Sequence, residues 1–280
     1  MAHSFVFSGP IDTPPRSPSA GAAIVISVVA VLSLAMVLPD ATGKWVLAAL
    51  ALLLPLAIVC KAIYAVHIAL LALVWISLVG FVPFFRLWPL NILAPLAVYG
   101  GAVMLSPPLR HSVGWLRTGR SGRDVRMLIL ATVVVSGVAL VAWTALTKPD
   151  LEHHLALVPA LPLWVYPLVA VAFAVVNAAM EEAIFRGVMM EALDSALGDG
   201  YWSIGTQAAS FAALHYLTGF PSGVLGFFMV LVYGVMLGVI RRRSSGLLAP
   251  WIAHVMADIA IFSILAVLLF RGGRGPALKL

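Results

Sequence analysis

Long apolar runs separated by short polar segments make up most of the chain. The runs cover residues 21–38, 45–60, 62–85, 88–106, 127–147, 163–187, 201–217, 223–240 and 247–270. Most are long enough for a helix that crosses a bilayer, which needs about 20 apolar residues. Only Lys61 separates the second run from the third, so residues 45–85 count as one helix or two. The pattern therefore predicts an all-α fold, a polytopic transmembrane bundle of about eight or nine helices.

The composition excludes an ordinary soluble domain. Hydrophobic residues make up 62% of the chain and charged residues only 10%, and the mean hydropathy is +1.08. The formal net charge is +6, but the basic residues cluster in short loops between apolar runs. Such clusters orient a protein in a membrane, so we expect a multi-pass integral membrane protein with no nucleic-acid partner.

Two basic segments set the predicted orientation. Residues 107–126 contain five arginines, and Arg241–Arg243 form a triplet between the last two runs. The positive-inside rule places both in the cytoplasm. The run 163–187 then enters from outside, and residues 188–200 are predicted to form a short amphipathic helix lying at the interface. The proline-rich residues 1–20 are predicted to be a flexible tail.

The run 163–187 carries three charged residues near its C-terminal end, Glu181, Glu182 and Arg186. A carboxylate inside a bilayer helix costs at least ~2.5 kcal/mol, which favours a functional role. Arg186 follows Glu182 by four residues, the spacing of a helical ion pair. We therefore expect Arg186 to hold Glu182 and leave Glu181 free for chemistry. The alternative is a helix end whose charges reach the headgroup layer.

Later apolar runs add His215, His254 and Asp258, the last one turn after His254. A single membrane histidine is often only a helix–helix contact. The six charged and histidine side chains are, however, nearly all the ionisable groups of the last four runs, which favours one shared polar cavity. No serine or cysteine lies in a recognisable nucleophile motif. Activation of water by Glu181, helped by His215, suits this set of groups, so hydrolysis is the expected reaction class.

The same side chains leave a metal-dependent alternative open. Two histidines and a glutamate, here His215, His254 and Glu181, are the ligand set of several zinc hydrolases. The chain lacks an HExxH motif, in which two ligands lie one turn apart on one helix. We therefore expect no cofactor, with zinc as the alternative.

Helix length raises a difficulty for a shared cavity. Counted from Tyr201, His215 would lie about 21 Å above the cytoplasmic face. Glu181 would lie only a turn or two above the same face if its helix ended at Gly187. The depths predicted from these helix ends do not agree.

Three short segments resemble the motifs of a known family. EEAIFR at 181–186, FAALH at 211–215 and HVMAD at 254–258 resemble EExxxR, FxxxH and HxxxN/D of the CPBP family of intramembrane endopeptidases. That family includes the CAAX prenyl proteases and the Abi-type bacteriocin-processing and immunity proteins. The resemblance covers about residues 163–270, the expected catalytic core. Residues 21–147 are expected to be transmembrane helices of unassigned role.

The resemblance also implies roles for the individual residues. It implies that Glu181 and His215 activate the water and that Glu182 pairs with Arg186. His254 with Asp258 would stabilise the oxyanion or complete the site. The implied substrate is a membrane-associated protein or peptide. Asp258 stands where the CAAX enzymes have asparagine.

Two other functions are compatible with the sequence. The protein could be a catalytically silent immunity or scaffold member of the family, or a proton-coupled transporter that uses glutamate and histidine as a relay. The alanine-, leucine- and arginine-rich composition suggests a bacterial inner-membrane location.

Overall fold

The structure of the protein is a computed structural model that describes residues 19–158 and 161–271. The predicted flexible tail, residues 1–20, lies outside this part of the chain except for its last two residues. Ser19 caps the first helix, because its Oγ accepts a hydrogen bond from the backbone N–H of Ala22 at 3.2 Å.

The described residues confirm the all-α fold, and none of them forms a strand. The N-terminal helices are α1 (Ala20–Val37), α2 (Pro39–Val59), α3 (Ile63–Phe81), α4 (Leu90–Leu105), α5 (Pro107–Ser112) and α6 (Arg123–Thr147). The C-terminal helices are α7 (Glu152–Leu157), α8 (Tyr166–Glu182), α9 (Met190–Leu197), α10 (Tyr201–Thr218), α11 (Gly223–Ser244) and α12 (Leu248–Arg271). A π-helical segment, Ala183–Met189, joins α8 to α9, and short 3-10 turns lie at Pro83–Arg86 and Leu163–Val165.

All nine apolar runs form helices. Within the described residues, six helices or continuous helical segments are long and apolar enough to cross a membrane. The run 45–85 contains two helices, because the chain turns at Cys60–Ala62 with Lys61 in the left-handed region (φ 54°). The helix count agrees with the sequence prediction.

The outer faces of the helices are apolar. On α6, Leu130, Val134, Val138 and Val141 recur at helical spacing and are more than half exposed. A row of this kind would be unfavourable in water but matches the hydrocarbon of a bilayer. The protein is therefore an integral, multi-pass membrane protein.

The helix that carries the glutamates continues well past its predicted end. The π-helical segment and α9 extend it without a break to Leu197, where Gly198 (φ 79°) ends it. The short helix predicted within 188–200 is confirmed as α9, but its predicted interfacial position is wrong, because Met190, Ala192 and Leu193 are buried and α9 packs against α1, α3 and α10. The N-terminal helices α1 and α3 cover the apolar face of α9. The hydrophobic pattern of residues 188–200 alone could not show whether lipid or protein covers that face.

This continuation removes the conflict in depth between the site residues. Glu181 lies 16 residues before the end of the helix at Leu197, a rise of roughly 24 Å. His215 lies at about 21 Å from Tyr201 by the same count. The expectation that the helix ends at Gly187, a turn or two after Glu181, was wrong.

Two glycines allow α10 and α11 to approach closely. A Cβ atom added to Gly234 would lie 3.0 Å from Ala208 Cβ, and one added to Gly238 would lie 2.9 Å from Ile204 Cγ2. Their spacing of four residues is that of the small-residue interfaces of membrane helices. Because α10 carries His215 and α11 lies beside α12, this contact helps to position the site.

We expect Gly234→Leu to destabilise the protein by about 1–3 kcal/mol, because the larger side chain overpacks the α10–α11 contact. Gly205→Leu is the matched control, since a Cβ at Gly205 has no neighbour within 4 Å. Thermal unfolding of both proteins in detergent would measure the difference. Equal midpoints for the two variants would contradict the proposed role of Gly234.

Candidate active site

The site is built around one carboxylate oxygen, Oε1 of Glu182. Arg186 Nη1 lies 3.0 Å from it and His254 Nδ1 lies 2.8 Å from it. The three side chains are at most 3% exposed. The predicted contact between Glu182 and Arg186 is confirmed, whereas the contact with His254 on α12 was not predicted.

The π-helical segment holds Arg186 beside the site. The Arg186 guanidinium carbon lies 4.3 Å from the centre of the Phe211 ring on α10, a cation–π contact. The backbone carbonyl of Arg186 accepts a hydrogen bond from Nε of Arg241 at 3.2 Å. The next residue is Gly187, where an added Cβ would lie 2.7 Å from the Trp115 ring. π-Helical turns such as those of Ala183–Met189 often occur at functional sites in helices.

Two further carboxylates lie near the other nitrogen of His254. Nε2 is 3.5 Å from Glu181 Oε2 and 3.7 Å from Asp258 Oδ1. Glu181 and Asp258 are 7% and 4% exposed, so both are buried. Three acids therefore surround one imidazole ring, and the structure brings together five of the six residues singled out in the sequence.

Asn177 is a member of this cluster that the sequence analysis missed. Its Nδ2 lies 3.3 Å from Glu181 Oε1 and 3.2 Å from Asp258 Oδ2, so one amide bridges the two carboxylates. The available signal was a polar residue one turn before Glu181 in an otherwise apolar run. Asn177 carries no charge and belongs to none of the three family motifs, so neither signal pointed to it.

The sixth residue, His215, joins the cluster through a cavity of about 320 Å³ between α6, α10, α11 and α12. His215, His254 and Asp258 line this mostly apolar cavity, whereas Glu181 and Glu182 do not. His215 Nδ1 lies 3.0 Å from the carbonyl oxygen of Phe211. Because a carbonyl only accepts, Nδ1 is the donor, and Nε2 of the neutral ring is left as an acceptor.

The cluster lies near the middle of the bundle. The ring of Tyr233 is 5.8 Å from that of His254, and Tyr233 lies about halfway along α11. This position is about 15 Å from each end of that helix. The alternative in which Glu181 and Glu182 reach the headgroup layer does not fit their depth or their burial.

The arrangement does not favour the zinc alternative. Within residues 19–158 and 161–271, no three His, Cys, Asp or Glu side chains are grouped as they would be around a metal ion. Nδ1 of His254 contacts Glu182 and Nδ1 of His215 contacts a backbone carbonyl, so only the Nε2 atoms of the two rings would remain to bind a metal. Glu181, His215 and His254 are thus not gathered around one point, and the absence of a metal cofactor stays a prediction that chelation can test.

The fold and the cluster define a multi-pass membrane protein with a buried acid–histidine site. Residues 162–260 match the family model described as Rce1-like, type II CAAX prenyl endopeptidase Rce1-like. The match covers about a third of the chain and agrees with the family whose three motifs the sequence resembles. No curated protein and no solved structure matched the chain. At the family level the match supports an intramembrane endopeptidase.

The two adjacent glutamates should differ in their effect on stability. Glu182→Gln weakens two contacts of 3.0 Å or less and leaves Arg186 without its buried counter-charge, so we expect a loss of about 3–5 kcal/mol. Glu181→Gln, the matched control, disturbs only contacts of 3.3 Å or more. Purified yield and thermal midpoint would compare the two. A larger loss of yield and a lower thermal midpoint for Glu181→Gln than for Glu182→Gln would show that the roles of the two glutamates are reversed.

Proposed function

We propose that the protein is an intramembrane endopeptidase that hydrolyses a peptide bond of a membrane-associated protein or peptide. The observation that carries this proposal is the buried cluster of Glu181, Glu182, His254 and Asp258, which adjoins an apolar cavity reaching His215. The peptidase description of the matching family supports the same reaction class.

Glu181 is the proposed general base. Its Oε2 accepts no hydrogen bond from the described residues, while Oε1 accepts one from Asn177. Both contacts of Glu182, with Arg186 and His254, are made by its Oε1, and its buried Oε2 also accepts no hydrogen bond from the described residues. Glu181 is proposed as the base because no arginine or lysine of the described residues is paired with it, whereas Glu182 is the counter-charge of Arg186. Oε2 of Glu181 points toward His254, whose ring lines the cavity. A water molecule bound to Oε2 of Glu181 beside the His254 ring can give up its proton to this carboxylate as it attacks a peptide carbonyl.

The two histidines take complementary roles in this proposal. His215 offers Nε2 as an acceptor to the same water, because Nδ1 donates to Phe211. His254 is proposed to carry a proton on both nitrogens: Nδ1 donates to Glu182, and Nε2 donates to the oxyanion that forms when water attacks the carbonyl carbon. Collapse of the tetrahedral intermediate breaks the carbon–nitrogen bond, and the proton taken from water passes to the leaving amine. Asp258 faces Nε2 of His254 and supports its orientation.

The substrate is proposed to approach from the lipid. Val135 on α6 and Phe228 and Val232 on α11 line the cavity and are each more than half exposed. An apolar group can therefore reach the site between these two helices without crossing water. A prenylated cysteine followed by three residues, the C-a-a-X ending, is one substrate of this chemistry. A transmembrane peptide without a lipid group is another.

Glu181→Gln should abolish cleavage while expression and membrane insertion remain normal, because the amide keeps the shape of the side chain but cannot take a proton. Glu152→Gln, on α7, is the matched control and should retain wild-type activity. Two probes would be used, a prenylated peptide with a C-a-a-X ending and a transmembrane peptide without a lipid group. Each would be incubated with the purified full-length proteins, and the products would be identified by mass spectrometry. Turnover above about a tenth of wild type would exclude the base role, which is worth roughly 10²–10⁴-fold.

Activity should survive removal of metal ions. If Glu181 and His215 activate water directly, dialysis against a strong chelator should leave the cleavage rate unchanged. Metal analysis should then find well under one zinc per chain. If zinc supplied the activated water, chelation would abolish cleavage and added zinc would restore it. If the wild type contained one zinc per chain, and His215→Ala lost both the zinc and the activity, the metal-free mechanism would be overturned. The protein would still be assigned as a hydrolase.

A further inference from the structure

A residue outside the matched segment 162–260 reaches the site. Trp88 lies in the connection between α3 and α4, and its indole Nε1 donates to Asn177 Oδ1 at 3.3 Å. Its ring also packs against Phe173, one turn before Asn177 on α8, with ring centres 5.1 Å apart. This connection is a direct polar link between the N-terminal helices and the residues around Glu181.

The indole donor determines which way the Asn177 amide faces. A side-chain amide can be turned over, which exchanges its oxygen and its nitrogen. With Oδ1 bound to Trp88, the Nδ2 group faces Glu181 Oε1 and Asp258 Oδ2 and donates to both. In the opposite orientation the amide oxygen would face two carboxylates and the nitrogen would face an indole N–H. The three contacts therefore support one orientation.

We propose that Trp88 and Asn177 form a positioning pair for the reaction assigned above, on which this inference rests. Asn177 bridges Glu181 on α8 and Asp258 on α12, so the proposed base and the acid beside His254 are held in fixed relation. Trp88 acts through Asn177 and touches neither carboxylate. The connection between α3 and α4 thereby contributes to the geometry of the catalytic helices.

A double-mutant cycle on stability tests the pair without a substrate. Trp88→Phe removes the indole N–H and keeps a ring against Phe173, and Asn177→Leu keeps the size of the side chain and removes its amide. We expect Trp88→Phe to lower the thermal midpoint of the wild type but to cause no further shift in the Asn177→Leu protein. Additive shifts would overturn the pair. If Asn177→Leu does not fold, Asn177→Ala takes its place in the same cycle.

The matched control is Trp164→Phe, because Trp164 is exposed and lies just before α8. Its shift should be the same in the wild type and in the Asn177→Leu protein. A non-additive shift here as well would show that the Asn177 variant is altered globally, and the assignment of the pair would fail.

Kinetics with whichever probe the wild type cleaves separate positioning from substrate binding. We expect Trp88→Phe to lower kcat about 10-fold and Asn177→Leu to lower it about 100-fold, since small misplacements of a base are costly. KM should remain within about twofold, and the double variant should match Asn177→Leu. A raised KM with unchanged kcat would overturn the proposal, because Trp88 would then bind substrate. If the wild type cleaves neither probe, the peptidase assignment fails, and the stability cycle still decides whether the pair exists.

Discussion

The carboxylate of Glu182 is the contact on which the rest of the site depends. A charge buried at mid-depth in an apolar bundle is tolerable only beside opposite charge and hydrogen-bond donors. Glu182 meets this condition through Arg186 and His254, and so ties its own helix to α12. Glu181 and Asp258 then lie against the free side of the same imidazole. Removal of Glu182 would therefore disturb each of the other groups.

The sequence predicted the parts of the site that follow from helical spacing. Arg186 pairs with Glu182 because four residues make just over one turn. All nine apolar runs form helices, and six of them lie in described segments long and apolar enough to cross a bilayer. The end of the glutamate helix could not be predicted, because burial of α9 depends on α1 and α3, which are distant in sequence. Asn177 was missed for a related reason. Its side chain is uncharged, and its importance comes from hydrogen bonds that join α8 to α12, which is distant in sequence.

The helices before residue 162 also take part in the architecture of the site. α1 packs against α9 and α10 and donates a hydrogen bond from Ser33 to Ser210 at 2.8 Å. Trp115, in the segment before α6, fills the space left by the missing side chain of Gly187. These contacts explain how the chain stabilises an unusually long helix interrupted by a π-helical segment at its most polar point.

One wall of the cavity comes from α6, a helix that carries none of the acids or histidines of the site. Val135, Ser136, Ala139 and Leu140 line that wall and lie outside the segment that carries the acids and histidines. The helix rests on α11 and α12 from the lipid side. Substitutions on this one face can therefore reshape the space offered to an incoming chain while every acid, amide and imidazole of the cluster stays the same. Part of the cavity wall is thus encoded outside the stretch of the polypeptide that carries the acids and histidines.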